Sequence, residues 1–196
     1  MIPENSIKVR EVTTRMLAPD TEKESGLIDY ERGGVEYKDP SQGYLVANWA
    51  VEVSDKYVNL YKEGKFKHLL LVQPNIADIA FCFDQTMNVM LAWRTKNDQL
   101  YLRYYDSFLA RFEVMSLGMG KCPRLTLDDK RSIAVDSSDV IFAYIANGSL
   151  CYRQQRESFF IEHVIRTDLH PSQRLDRIGM GGLQLQFELS SYIEDM

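Results

Sequence analysis

Arg103 and Arg153 are the residues whose placement most suggests binding chemistry. Each lies mid-run among tyrosines, in the stretches Asn88–Val114 and Asp139–Val164, and they are separated by the same interval as Leu100 and Leu150. Arginine on an aromatic sheet face can stack on a ring, make a cation–π contact or grip a carboxylate with its planar fork. The plainer role is to cover the outer face of a sheet with its aliphatic stem. Trp49, Trp93 and Tyr144 recur at one place in an internal repeat, and aromatic faces of this kind suit sugar rings, although a strand-embedded tryptophan more often belongs to a core. The binding candidates are therefore Trp49, Trp93, Tyr144, Arg103 and Arg153.

Other chemistries lack their residues. Gly118-Met119-Gly120-Lys121 has neither the spacing that wraps backbone amides around phosphates nor a following Ser or Thr for magnesium, and Gly179–Gly182 (GMGG) lacks a preceding strand-to-helix context. His68, His163 and His170 show no HxH or HExxH spacing, and no Gly-x-Ser-x-Gly elbow occurs. Asp106 and Glu157 sit at equivalent turns, where repeated acids are ordinarily solvated rather than paired for glycoside cleavage. Asp84 and Asp136 each follow a strand-like run and suit a tight turn that accepts backbone hydrogen bonds, and no close-spaced set of oxygen ligands accompanies them for calcium. Cys82, Cys122 and Cys151 are an odd number at wide spacings, unlike a disulfide framework or a zinc site, and Cys82 and Cys151 read as small buried hydrophobes. No catalytic residue, metal ligand or cofactor is assigned.

The elements that carry these residues form a repeat. Tyr44–Val72, Asn88–Val114 and Asp139–Val164 each run as strand, turn, tyrosine-bearing strand, turn, and strand ending in aliphatics. At constant offset Trp49 falls on Trp93, Tyr57 on Tyr101, Tyr61 on Tyr105, Leu70 on Val114, and Asn59 on Arg103. Between the later copies Trp93 falls on Tyr144 and Arg103 on Arg153. A period of roughly 45–50 residues with three or four strands predicts a repeated β-meander. Extra strands lead into the second and third copies at Asp78–Phe83 and Arg131–Val135. Asn147-Gly148 predicts a two-residue hairpin, Ser54-Asp55 serves the first copy, and the Thr95–Asp98 connection is longer and bulged.

Residues 1–43 read as an N-terminal strand, Ile7–Leu17, followed by an extended arm with a short strand near Gly34–Lys38. Residues 44–196 read as the β-repeat domain, with units at about 44–72, 78–114 and 131–164 and a closing strand at 183–189. The alternation of LQLQFEL defines that last strand, which is expected to complete a sheet begun at the N-terminus. Gly118–Pro123 reads as a linker, and Leu169–Ile178 as the one short helix, starting no earlier than Pro171. The fold class is all-β, with antiparallel meanders arranged as propeller-like blades, a prism or a sandwich. Three blades are fewer than the usual four to eight, and the edges of an incomplete circle need covering, which favours assembly with other chains.

With 196 residues, 45% hydrophobic and 11% aromatic, the chain can bury a core. Its net charge of −5 and lack of a basic block argue against a nucleic-acid partner. No apolar run approaches the ~20 residues of a membrane span, and the start shows no leader, so a soluble protein made in a reducing compartment is expected.

The run Val140–Val164 with Leu150-Cys151-Tyr152-Arg153-Gln154-Gln155-Arg156, followed by Leu175–Leu189 (LDRIGMGGLQLQFEL), resembles segments of structural proteins of tailed-bacteriophage virions, tail proteins especially. That resemblance implies a non-enzymatic tail component made in the host cytoplasm, which connects or anchors other tail proteins in several symmetric copies. The alternative reading from the aromatic residues is a carbohydrate-binding module for a host surface glycan. A hydrolase stands third.

Overall fold

Successive side chains of an extended backbone leave on opposite faces, so a chain that alternates apolar and polar residues gains most by forming sheets buried on one side. The computed structural model describes residues 7–13, 37–39, 43–44, 47–62, 64–84, 88–128, 139–181 and 184–191. These form strands, turns and a single 3-10 turn, Gln155–Glu157, with no α-helix among the described residues.

In chain order the strands are β1 (Ile7–Thr13), β2 (Tyr37–Asp39), β3 (Gly43–Tyr44), β4 (Ala47–Ser54), β5 (Tyr57–Lys62), β6 (Lys65–Val72), β7 (Ile76–Phe83) and β8 (Val89–Thr95). They continue as β9 (Gln99–Asp106), β10 (Arg111–Met119), β11 (Lys121–Asp128), β12 (Asp139–Ala146), β13 (Ser149–Gln154), β14 (His163–Arg166), β15 (Gln173–Gly181) and β16 (Gln184–Ser191). Three antiparallel four-stranded sheets result, ordered β1-β4-β5-β6, β7-β8-β9-β10 and β11-β12-β13-β14, with β15-β16 as a separate hairpin and β2-β3 as a short ladder. The predicted all-β meander repeat is the observed architecture.

The sheets stack in series. Trp49, Val51, Val53, Val58, Leu60 and Leu70 of the first sheet pack on Ile79, Phe81, Phe83, Val89, Leu91 and Trp93 of the second. The opposite face of the second, with Met90, Ala92, Leu100 and Leu102, packs on Val140, Phe142, Tyr144 and Cys151 of the third. The third sheet's far face, with Ile141, Ala143, Ile145 and Leu150, meets Leu175, Ile178, Leu185, Phe187 and Leu189 of the hairpin. Strands β8 and β12 are thus covered on both faces, which is why they read as continuous apolar runs rather than alternating ones. Consecutive first strands lie against each other, β1 on β7, β7 on β11 and β11 on β15, while the fourth strands make no comparable approach. The stack is an open fan, and no closed ring of blades forms among the described residues.

The same irregularity recurs in each four-stranded sheet. The third and fourth strands slip register between Val58 and Asn59 in the first sheet, opposite Leu117 in the second and between Leu150 and Cys151 in the third. Leu70, Leu117 and Ile165 are the extra residues at these three bulges. A bulge inserts one residue and turns the strand locally, so three at one position mark three copies of one unit.

Several sequence expectations are corrected here. The leading strand of the third sheet is β11, not Arg131–Val135, which lies outside the described residues. Gly118–Pro123 is no linker: β10 runs to Met119 and β11 begins at Lys121. Pro123 is tolerated because it stands in a bulge on an edge strand, where no ladder N–H is needed. Leu169–Ile178 is not helical. A bulge between Leu175 and Arg177 brings Leu175 and Ile178 onto one face, and that spacing imitates a helical period. The strand at β16 is as predicted, but it pairs with β15 rather than with the N-terminus, whose β1 is the first strand of the first sheet. Most of the expected arm lies outside the described residues. The hairpin turns are Asn147-Gly148, as expected, and Asp55-Lys56, one residue later than expected. Asn147 and Gly148 have φ of 50° and 70°, the paired left-handed conformation of a two-residue turn.

Candidate functional site

The hairpin turns fix which candidate residues are equivalent. Counting from the turns, Trp93 pairs with Tyr101 and Tyr144 with Cys151 at matching places, and Arg103 matches Arg153. In the first sheet the place of Trp93 is held by Glu52, and that of Arg103 by Tyr61 rather than Asn59. Trp49 lies an odd number of residues further from its turn, and an odd slip sends a strand side chain to the opposite face. Trp49 and Trp93 therefore face each other across one layer instead of repeating one position. Leu70 matches Leu117, the bulged residue, not the exposed Val114.

All three ring candidates are core residues. Trp49, Trp93 and Tyr144 are 4%, 1% and 1% exposed. Trp49 packs edge-on to Phe83, Trp93 stacks on Tyr101, and Tyr144 stacks on Phe142. Their faces are already occupied by protein, so no sugar ring can lie on them.

Arg103 is likewise buried. Its Nη1 donates to the Val89 carbonyl at 3.0 Å, and its guanidinium lies 3.6 Å from the centre of the Phe112 ring. Arg153 closes a small polar network. Its Nε donates to the Tyr144 hydroxyl at 2.8 Å, its Nη1 to the carbonyls of Phe159 and Phe160 at 2.8 and 3.0 Å, and its Nη2 approaches Glu162 at 3.3 Å. The Tyr144 hydroxyl donates in turn to Glu162. Burial, and then the bond to Glu162, raise the Tyr144 phenol well above its ordinary value in spite of Arg153. Burial, and then the Glu162 charge, push the neighbouring Cys151 thiol up to about 11, so the thiol stays protonated and unreactive at neutral pH. The network latches the segment between β13 and β14, and Glu162, its acid, carries no signal in the sequence, because its partners come from other strands.

Other titratable residues are engaged locally. Asp84 accepts from the Asn88 backbone at 2.8 Å, and Asp106 from Phe108 and Leu109 at 2.9 Å each. Asp136 lies outside the described residues. His163 contacts Glu157 at 2.6 Å and stacks on Tyr152, and His170 contacts the Ser172 hydroxyl at 2.7 Å. Cys82, Cys122 and Cys151 are buried and form no disulfide. Among the described residues no group of three or more His, Cys, Asp or Glu is placed to hold a metal ion.

Two surface features remain. An open cleft of about 1050 Å³ lies at the hairpin ends of the second and third sheets, lined by Arg94, Lys121, Arg174 and Asp98 among others. Two of its cations are held: Arg94 by Asp98 at 2.5 Å and Lys121 by the Pro171 carbonyl at 2.6 Å. The other feature is the splayed outer rim. Phe66 and Val72 on β6, Val114 and Met119 on β10, and Val164 and Ile165 on β14 are all exposed, as are Phe108 and Phe160 in the adjoining turns. Each of these strands is the last in its sheet, so its outer backbone groups face away from any described strand. Comparison with known proteins finds no matching family model, no matching curated protein and no matching solved structure.

Proposed function

We propose that this chain is a non-enzymatic structural protein of a bacteriophage virion, a tail component that connects or anchors other tail proteins. The carrying observation is the outer rim, where three strands, each last in its sheet among the described residues, carry exposed aliphatic and aromatic side chains. Such edges are a liability in an isolated protein, which ordinarily blunts them with charge, proline or a covering element. In an assembly protein they are the means of joining, because main-chain pairing supplies affinity and alternate side chains supply selectivity. β6 does carry Lys65 and Lys67, but Phe66 and Val72 remain uncovered beside them. The resemblance of the C-terminal third to virion tail segments supplies the setting.

The polar groups that repeat along the chain are engaged in holding the fold. Arg103, Arg153, Asp84 and Asp106 each bond to backbone or to a neighbouring side chain, so the repeat's conserved geometry serves architecture. The glycan-binding alternative loses the three rings on which it rested. The test is co-purification: the protein mixed with the products of neighbouring virion genes should elute in a larger particle. Continued elution as a lone monomer beside every such partner contradicts the proposal.

A further inference from the structure

The turns between the third and fourth strands of the second and third sheets carry the same kind of tip. In the β9–β10 turn Phe108 and Leu109 are 94% and 47% exposed, and before β14 Phe160 and Ile161 are 69% and 53% exposed. Neither tip is slack. The Asp106 carboxylate accepts from the backbone N–H of both Phe108 and Leu109, and Ala110 is held at a φ of 52°. In the other turn Arg153 grips the carbonyls of Phe159 and Phe160, Phe159 is buried edge-on to Tyr104, and Ser158 and Phe159 have φ of 51° and 60°. Left-handed backbone at a residue other than glycine costs energy and persists only where the surroundings impose it. Two neighbouring turns thus hold an aromatic and an aliphatic side chain out in solvent, in a fixed shape that a partner need not order.

Successive turns of a meander alternate between the two ends of its strands. The tips therefore lie at the opposite end of the second and third sheets from the cleft bounded by Asp98 and Asn147-Gly148. The two ends are complementary. The open cleft of about 1050 Å³ has apolar walls from Met119, Ile145, Leu169 and Pro171, and its size admits a two-residue tip. Its acids are already held, Asp78 by Arg124 at 3.2 Å and Asp98 by Arg94, whereas Lys121 and Arg174 form no ion pair among the described residues. The tip end is acidic instead. Asp106 forms no ion pair among the described residues, and burial, then the charges of Asp106 and Glu113, raise the nearby Tyr104 phenol.

Resting on the assembly role proposed above, we propose that the Phe108–Leu109 tip of one copy seats in the cleft of a second copy of this chain, head to tail along the strands. Asp106 then faces Lys121 and Arg174, and Phe160 and Ile161 lie against the rim of the cleft. The apolar side chains meet apolar walls, and the acidic end meets the two cations that lack an acid. A lipid surface fits less well, because a membrane with anionic headgroups repels an acidic end. The contact joins unlike surfaces, so each added copy leaves one tip and one cleft free, and the chains build a ring or a filament rather than a two-fold pair.

The test is light scattering and sedimentation of the full chain over a range of concentrations. The unaltered chain should grow beyond a dimer as concentration rises. Phe108→Asp, without a working tip, and Arg174→Glu, without a working cleft, should each stay monomeric with unchanged thermal unfolding, since both side chains are exposed. Their equimolar mixture should stop at a dimer, because one competent tip then meets one competent cleft. Phe108→Ala should weaken self-association by about tenfold or more, as loss of a central aromatic anchor does, and Val114→Asp on the β10 rim should leave it unchanged. A monomer at every concentration, undiminished association by either charged variant alone, or a mixture that stays monomeric overturns the proposal. So does binding to phosphatidylcholine vesicles that requires Phe108 and occurs without self-association. If particles form with neighbouring virion proteins from a chain that does not self-associate, this inference alone falls. If the chain self-associates through tip and cleft but forms no such particle, the assembly reading alone falls.

Discussion

Tyr144, a binding candidate in the sequence, is structural. Its ring is packed on Phe142, and its hydroxyl links Arg153 to Glu162, so the phenol joins β12, β13 and the segment before β14 at one atom. Tyr144→Phe removes that link and leaves Glu162 facing only Arg153. A hydrogen bond to a charged group is worth about 1.5–3 kcal/mol, and that loss should appear in urea denaturation, with no change expected in the described strands. Next to it, Cys151 gives a pH dependence whose sign is fixed by its raised value. Protonation favours the folded state, so its contribution is whole below the ordinary thiol value near 9 and is lost as pH climbs through about 11. Stability should fall between pH 8 and pH 10.5, and Cys151→Val should make that fall shallower by on the order of 2 kcal/mol. An identical fall in the variant contradicts this assignment. Gly120 adds a steric case. A Cβ there would lie 2.4 Å from Leu100 Cδ1 and 2.9 Å from the Ile145 carbonyl oxygen, which is backbone and cannot swing aside. Gly120→Ala should cost about 1–3 kcal/mol, read as a lowered midpoint in thermal unfolding.

At the scale of strands and turns, the repeated bulge sets up a contrast between equivalent positions. Leu70 and Ile165 occupy the same place in their sheets, yet one is covered and the other open. Leu70→Ala should cost about 2–5 kcal/mol and Ile165→Ala under about 1, because only the first leaves a cavity. Similar losses at both would mean that Ile165 is covered in solution. The strands were legible in the sequence because period-two alternation and the Asn147-Gly148 turn are local signals. The error in aligning the first copy had an equally local origin. Matching Trp49 to Trp93 by chemical likeness slipped the register by an odd number of residues, and a strand has no memory of such a slip except in which face it buries. The helix expected at Leu169–Ile178 is a strand from Gln173 on, bulged between Leu175 and Arg177 so that its alternation is broken. The Glu162 latch could not be read, since it depends on which strands meet.

Viewed whole, the molecule manages its two ends and its rim differently. The outer face of the first sheet carries Glu52, Ser54 and Asn59 together with the exposed Tyr57, Phe66, Leu69 and Val72, whereas that of the hairpin carries Arg174, Arg177, Gln186 and Glu188, so only the hairpin end of the stack is polar. A polar end unit caps a repeat array and stops it growing along its own axis, which the hairpin does at its end. The rim is apolar where the fan opens. The two buried tryptophans report independently on this layering: emission from Trp49 and Trp93 should resist acrylamide quenching and stay unchanged on adding oligosaccharides, whereas a sugar-induced shift would restore the glycan reading.

The most direct test is the mass of the purified full-length chain by light scattering, alone and with the proteins encoded beside it in a virion module. A larger complex of fixed stoichiometry is expected, reduced by charged substitutions at Val114, Val164 or Ile165 on the outer rim. A particle that never exceeds a single chain in any mixture, with its rim intact, contradicts the account.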